Sequence, residues 1–419
     1  MPGQGNKSRD SSAPKSPKVA SISDGWRDRL IGGSDDPDPC VANVLIALEH
    51  ALEWQQVLRF DASSLSIVAS SKPPWVSDLA IPFKWRDKDD VRAAAWLQRN
   101  GIKAGIETTR QGVQTVAQEH PFHPIRDYLN SVEWDGEARI DFFVPVYLGA
   151  GISDYNQATG ARWLIGAVAR ILEPGCKNDC CLILEGDQGL LKGSALKILA
   201  SPKWFNDTMS ELGTKDSLLQ MRGKWIHEFS DLAPMKDVDI DRLKAFISCT
   251  EDRFRPPYGR YVIDVPRECV FAGTVNKDTY LKDETGARRF WSVECGDIDL
   301  DGLRRDRDQL WAEAVARYRK GEKWWLHEKH LIAAAKREAK KRYVTDPWDE
   351  KIENWSEGRE AITVAEVLGL CLGKKKEDWT QRDQNRVARS LRANDWRRRQ
   401  RRDEDGKREW CYEKVESGD

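Results

Sequence analysis

The sequence predicts a multi-domain α/β protein built around one strand–loop–helix unit near its middle. Three observations predict it. Cys181 to Leu184 is an apolar run that reads as a buried strand. A glycine-rich turn and Lys192 follow, and then a helical pattern with Ala195, Leu196, Ile198 and Leu199. Two further apolar stretches, Gly223 to Leu232 and Arg267 to Asn276, read as strands with polar ends, set among amphipathic helices as in α/β folds.

Composition sets the outer limits. A chain of 419 residues is long enough for two or three domains. Hydrophobic residues make up 40% and charged ones 32%, which gives a real core under a polar surface. The net charge is −1, so any affinity for nucleic acid has to come from local patches. No apolar run approaches the roughly 20 residues of a membrane span. The N-terminus lacks the regions of a signal peptide, so a cytoplasmic protein without membrane partners is expected. The nine cysteines are scattered and are expected to be reduced thiols. Cys176, Cys180 and Cys181 form a cluster without a second CxxC or a nearby His pair, and read as buried small residues rather than a zinc site.

Residues 1–38 are rich in Ser, Pro, Gly, Lys and Asp and read as a disordered tail. Residues 39–118 form an N-terminal α+β region of unknown role. It holds a helix over Val41 to Leu48, a short hairpin at 58–61 and 65–68, a helix ended by Gly101 and another from Thr109. Lys84-Trp85-Arg86-Asp87-Lys88 reads as a solvated charged turn. Residues 119–174 are mostly helical. Pro124 sits near a first turn, and Ala161 to Leu172 is apolar on more than one face, as for packing on a sheet or a neighbouring subunit.

Residues 175–325 carry the chemistry. A strand, a glycine-rich turn, a Lys and a helix are the context of a phosphate-binding P-loop. Glycines let backbone N–H groups close around phosphates, and a helix N-terminus adds partial positive charge. Gly186, Gln188, Gly189, Lys192, Gly193 and Ser194 are the candidate nucleotide cradle. Leu191 stands where a second glycine is expected. Gly193 stands where a magnesium-binding hydroxyl is expected, with Ser194 one place later as its substitute. A plain strand–turn–helix is the alternative for this segment alone. The strand ending in Glu228, with Asp231 as second acid, would polarise a water or hold Mg2+. His227 is polar for a buried strand and faces either the nucleotide or a hydrogen-bond partner. Asn276 can bond a γ-phosphate or position water, and Arg288 and Arg289 offer charged forks for a transferring phosphoryl group. Between them, Arg255-Pro256-Pro257-Tyr258-Gly259-Arg260 is turn chemistry flanked by cations and rings, the mix used on single strands.

Five segments occur in order: Glu185-Gly186-x-Gln188-Gly189-x-x-Lys192, Gly223-Lys224-Trp225-Ile226, Arg255 to Arg260, Gly273-Thr274-x-Asn276, and Asp283-Glu284-Thr285-Gly286-x-Arg288-Arg289-Phe290-Trp291. Together, from about His123 to about Trp325, they resemble the virulence-associated protein E family. These are P-loop ATPases of phages and mobile elements, similar to superfamily-three helicases. The resemblance implies a P-loop NTPase core that binds ATP and Mg2+ and assembles as a homo-oligomeric ring on DNA. It places Lys192 on the phosphates, Glu228 as the acid, Asn276 as sensor and Arg288 or Arg289 as arginine finger. The hairpin around Tyr258 then faces DNA in the bore. Gly193 is the departure that bears on magnesium coordination and turnover. Residues 39–118 show no paired-carboxylate primase signature, so no primer synthesis is expected.

Residues 326–358 read as a helical linker whose Lys-rich helix, Leu331 to Tyr343, is exposed. Residues 359–419 read as helix, helix, strand, wing, strand, a winged-helix-like DNA-binding domain. From Arg382 to Arg408 there are eleven Lys and Arg against five Asp and Glu, a net of six positive charges. Arg386, Arg389, Arg397 and Arg398 are its candidate DNA contacts. The expected function is an ATP-dependent DNA helicase or translocase acting in replication, with possible replication partners. The rivals are an ATP- and DNA-binding regulatory protein with little unwinding, and a scaffold protein.

Overall fold

A computed structural model describes residues 25–76, 80–230, 240–256, 259–276, 288–342, 346–402 and 408–414, with only the backbone of 240 and 241. The chain divides into two units at His123–Pro124.

The first unit packs three helices, α1 (Val41–His50), α2 (Asp87–Arg99) and α3 (Ile106–Glu119), with a small sheet. Its strands are β1 (Leu58–Asp61), β2 (Ser66–Ala69), β3 (Phe83–Lys84) and β4 (Pro121–Phe122), ordered β3-β2-β1-β4. Residues 25–38, expected as part of the tail, belong to this unit. Trp26 and Leu30 are buried, Trp26 stacks on Trp96 at 6.5 Å, and the Asn43 side chain bonds both backbone groups of Ile31. Two large apolar side chains secure a segment whose average composition is polar. Trp85 is also buried, donating to Asp90 at 2.8 Å, so the charged turn around it is anchored from below.

The second unit centres on five parallel strands: β5 (Cys181–Glu185), β6 (Phe205–Asn206), β7 (Ile226–Phe229), β10 (Val270–Val275) and β11 (Phe290–Glu294). Between β7 and β10 the chain forms a separate hairpin of β8 (Glu251–Phe254) and β9 (Ile263–Pro266). The sheet order is β11-β5-β10-β7-β6. β5 therefore lies between the last two strands of the sheet, and the direction of winding reverses there. Ligands of open α/β sheets sit beyond the carboxyl ends of strands at such a switch point. β5 and β10 are buried throughout, as parallel strands covered on both faces must be.

One face of the sheet is covered by α4 (Pro124–Ser131), α5 (Asp154–Leu172), α6 (Lys192–Ala200) and the helix Leu300–Arg319. Trp163 of α5 donates to the Phe271 carbonyl at 3.0 Å, and Trp225 donates to the Ala167 carbonyl at 2.9 Å. The all-round apolar helix thus lies on the sheet. The other face packs Ile183, Phe229 and Phe271 against the helix Ile240–Ser248.

The helix Lys329–Lys341 is not a linker. Leu331, Ala335 and Ala339 are buried at four-residue spacing, and Glu328 before it is ion-paired with Arg162 of α5, at 2.7 Å from Nη1. The remainder of the expected linker joins the C-terminal part, where Ile352 packs in a small core with Val387, Leu391 and Trp396. That part contains the helices Asp349–Ser356 and Gln381–Ala393 and the strands β12 (Ala361–Ile362), β13 (Trp396–Arg402) and β14 (Arg408–Lys414), ordered β12-β14-β13. Thr380 and Asp383 form a capping box that starts the longer helix. Among the described residues no helix is long and apolar enough to cross a membrane. The nine cysteines are free thiols, and burial pushes Cys176 up to about 11.

Candidate functional site

The loop between β5 and α6 stands at the carboxyl edge of the sheet, at the switch point. Its shape demands particular residues. Gly186 has φ +133°, and a Cβ there would meet Leu190 Cδ1 at 2.7 Å and the Cys295 carbonyl oxygen at 3.0 Å. Leu191, at the start of α6, has φ +61°, the left-handed conformation that a glycine adopts without strain. The missing second glycine is therefore a side chain held in a glycine's backbone conformation.

Lys192 is only 6% exposed. Its Nζ donates to the carbonyls of Gly186 at 2.7 Å and Asp187 at 2.8 Å, and to Asn276 Oδ1 at 3.1 Å. A cation is thus held among oxygen acceptors inside a loop, at the N-terminus of a nine-residue helix. Oxygens of a bound anion could take the place of those acceptors. Asn276, at the end of β10, is brought to Lys192 by the pairing of β10 with β5.

Glu228 on β7 is 7% exposed and accepts a hydrogen bond from Thr274 Oγ1 at 2.6 Å. Its carboxylate lies against Gly193: a Cβ there would be 2.8 Å from Oε2 and 3.0 Å from Oε1. The place expected for a hydroxyl side chain is thus next to the acid itself. Ser194 comes one residue later, about 100° round the helix, so it does not replace position 193 in space. Among the described residues no group of three or more His, Cys, Asp or Glu forms a metal cage. A single carboxylate beside a lysine-bearing loop is still a fit for Mg2+, which is commonly held by one or two carboxylates plus phosphate oxygens and water.

These residues lie within a matching family region. The virulence-associated protein E-like domain matches residues 129–344, just over half of the chain. The chain belongs to the virulence-associated protein E-like family. Two solved structures of the NrS-1 C-terminal region are similar to it. The A-form apo structure is 13% identical with a TM-score of 0.46, over 91% of this chain and 100% of that one. The apo structure of residues 305–718 is 13% identical with a TM-score of 0.42, over 86% and 96%. No curated protein matches the chain.

Within this family member, Lys192, Gly186, Gly193, Glu228 and Asn276 come together, while Gln188 and Gly189 form the exposed tip of the loop. Asp231 and Tyr258 lie outside the described residues. His227 points away from Glu228, toward Phe271 and to Asn206 Nδ2 at 3.3 Å. Burial holds it neutral, its pKa pushed down to about 3. Arg288 and Arg289 do not join the site. They precede β11 at the opposite edge of the sheet, where both meet Asp179, at 2.9 and 3.7 Å. The length of β5 separates the two edges, about 13 Å.

The hairpin β8–β9 presents Arg255 and Arg260 at its exposed end, with Tyr261 79% exposed. Its base is locked by Asp252, which accepts from Arg222 and Arg267, and by Arg267, which also donates to the Phe246 carbonyl. In the C-terminal part the expected contacts divide. Arg386 bonds Asp346 through two nitrogens, at 2.5 and 2.6 Å, and stacks over Trp348, while Arg389 reaches the same carboxylate at 3.3 Å. The two fasten the helix to the segment before it, so they are not open DNA contacts. Arg397 and Arg398 on β13 are exposed.

Two groups escaped the sequence reading. Thr274 holds the acid. Arg342, buried at the end of the helix Lys329–Lys341, pairs with Glu185, the residue before the loop. Its signal was the spacing of 331, 335, 339 and 342 along one helix face.

Proposed function

We propose that the chain is an ATP-dependent DNA helicase or translocase that acts as a homo-oligomeric ring in replication of a phage or mobile element, in the bacterial cytoplasm. The observation that carries this reading is Lys192, held by loop carbonyls and Asn276 at a strand switch point, with Glu228 set against the same helix start.

In this reading the oxygens around Lys192 give way to the β- and γ-phosphates of ATP, and the loop amides receive them. Glu228, oriented by Thr274, holds Mg2+ or polarises the attacking water. Ser194 is the remaining hydroxyl of the first turn. Asn276 keeps the γ-phosphate and water in register. Arg288 and Arg289 are too far from their own loop, and serve the nucleotide of a neighbouring copy. Turnover moves the β8–β9 hairpin, whose Arg255, Tyr258 and Arg260 hold one DNA strand. The C-terminal basic part adds DNA contact through Arg397 and Arg398.

The test is ATP hydrolysis with and without single-stranded DNA, beside Glu228→Gln and Lys192→Ala. DNA-stimulated turnover lost in both variants supports the reading. Equal turnover in Lys192→Ala would refute it. A second reading is a nucleotide-regulated DNA-binding protein with very slow turnover. It is favoured by Gly193, where the Glu228 carboxylate lies against a backbone that offers no hydroxyl. ATP binding without hydrolysis would select it.

A further inference from the structure

We propose that the groove between the helix Gln381–Ala393 and the β13–β14 ribbon is a binding site for an unpaired base of single-stranded DNA. The inference rests on the DNA contact proposed for Arg398 and deepens it, and it is independent of the ATP site.

The groove follows from the geometry of two elements. One stripe of the helix, from Gln381 through Gln384, Asn385 and Ala388 to Arg392, lines one wall. These positions recur at helical spacing and share a face. The neighbouring stripe, with Arg386 and Arg389, is bound to Asp346. The other wall is one face of the ribbon, where Arg398 pairs in register with Tyr412 and Gln400 with Trp410. Tyr412 is buried in the small core and makes the floor, whereas Trp410 is 51% exposed.

The cavity has a volume of about 580 Å³. Sites for small ligands run to about 300–1,000 Å³. A duplex does not fit, since its major groove alone is about 12 Å wide and takes in a whole helix. What enters is a flat group carried on a flexible chain.

The chemistry of the walls identifies that group. The Arg398 guanidinium lies 4.2 Å from the centre of the Trp410 ring, a cation-on-indole platform that a base can extend by stacking. Gln381 Nε2 donates to Asn385 Oδ1 at 3.0 Å, which orders the amides at the rim. Side-chain amides next to a stacking platform match base edges, and the Watson–Crick edge is open only when the base is unpaired. Among the described lining residues the one carboxylate, Glu409, is paired with Arg401 at 2.7 Å and so repels an entering phosphate less. Arg392 and Arg398 offer positive charge to the backbone that carries the base. Part of the basic C-terminal sequence therefore serves a base-stacking cleft, and part holds the helix in place.

The experiment measures binding of the full chain, without nucleotide, to a labelled 20-nucleotide single strand, the same sequence as duplex, and its RNA version. Fluorescence anisotropy gives each affinity. The parent and all variants carry Arg255→Ala and Arg260→Ala, so that the hairpin's cationic contribution is removed from the comparison. Trp410→Ala is expected to weaken single-strand binding about 5- to 100-fold. Trp410→Phe is expected to restore most of it, and the salt slope to stay unchanged, because stacking releases no counterions. Asn385→Ala, at an exposed helix position, is expected to act in the same direction and covers the case in which the Trp410 variant misfolds. Single-strand affinity within twofold of the parent in both alanine variants overturns the proposal. So does an equal loss on duplex, which would make the groove part of a duplex-binding surface, or tenfold tighter binding of RNA. ATP hydrolysis without DNA, measured on the same samples, reports on the nucleotide site separately.

Discussion

Replacing Asp252 by Asn takes the negative charge from a buried cluster and leaves two guanidiniums facing each other. The side chains of Asp252 and Arg267 are each 1% exposed, and that of Arg222 is 9% exposed. At an effective dielectric constant near 20, each pair at contact distance is worth about 4 kcal/mol of attraction, offset by the cost of burying the charges. Removing one partner of such a group typically costs about 3–5 kcal/mol, because the remaining charges stay buried. The same hairpin supplies its own control. Arg253 and Asp264 pair at 3.5 Å with side chains 76% and 50% exposed, so Asp264→Asn should cost about 0–1 kcal/mol. Urea unfolding followed by tryptophan fluorescence measures both, and anisotropy measures DNA affinity. Asp252→Asn is expected to lower the unfolding midpoint strongly and to weaken single-strand binding, because Arg255 and Arg260 ride on the loosened hairpin. If both variants cost under about 1 kcal/mol, the argument that Asp252 locks the hairpin base is wrong.

Gly193→Ala puts a methyl group 2.8 Å from Glu228 Oε2. Folding should be little changed, since the carboxylate can swing aside, but kcat for ATP should fall at least about tenfold at near-constant nucleotide Kd. Glu328→Gln tests how the helix Lys329–Lys341 is docked. The hydrogen bonds from Arg162 hold the Glu328 carboxyl down to about 2, from an ordinary 4.5. A depressed carboxylate stabilises the fold above its unfolded pKa and loses that contribution as pH falls toward 2. The variant should therefore be less stable than the parent at pH 7, and the gap in urea midpoint should narrow between pH 4.5 and the acid limit. Subunit mixing tests the placement of the two arginines. Lys192→Ala protein and Arg288→Ala/Arg289→Ala protein should each be inactive, yet turnover should reappear on mixing, because some interfaces then combine an intact loop with an intact neighbour's arginines.

Much of the candidate site's composition was legible before the fold. The run from Cys181 to Lys192 declares a strand, a turn and a helix through local pattern alone. Glu228 and Asn276 were legible as polar ends of apolar strands. Other parts were not. Trp26 and Leu30 sit in a stretch whose average composition is that of a tail, and averages hide two well-placed anchors. Arg386 and Arg389 add to a basic count, but charge counting is blind to Asp346, which lies forty residues before Arg386 in the chain and pairs with both. Arg342 looked like part of a solvated Lys-rich helix until the sheet gave it Glu185.

The sequence by itself determined which segments become buried strands, where helices start and stop, and that a cation follows the glycine turn. These are local matters of periodicity, capping and backbone freedom. The tertiary structure decided which of the polar residues meet. Parallel pairing of β10 with both β5 and β7 brings Asn276 to Lys192 and Glu228 to Thr274. The direction of β11 sends Arg288 and Arg289 to the far edge. Strand order is set by packing over long chain separations, and no local pattern encodes it.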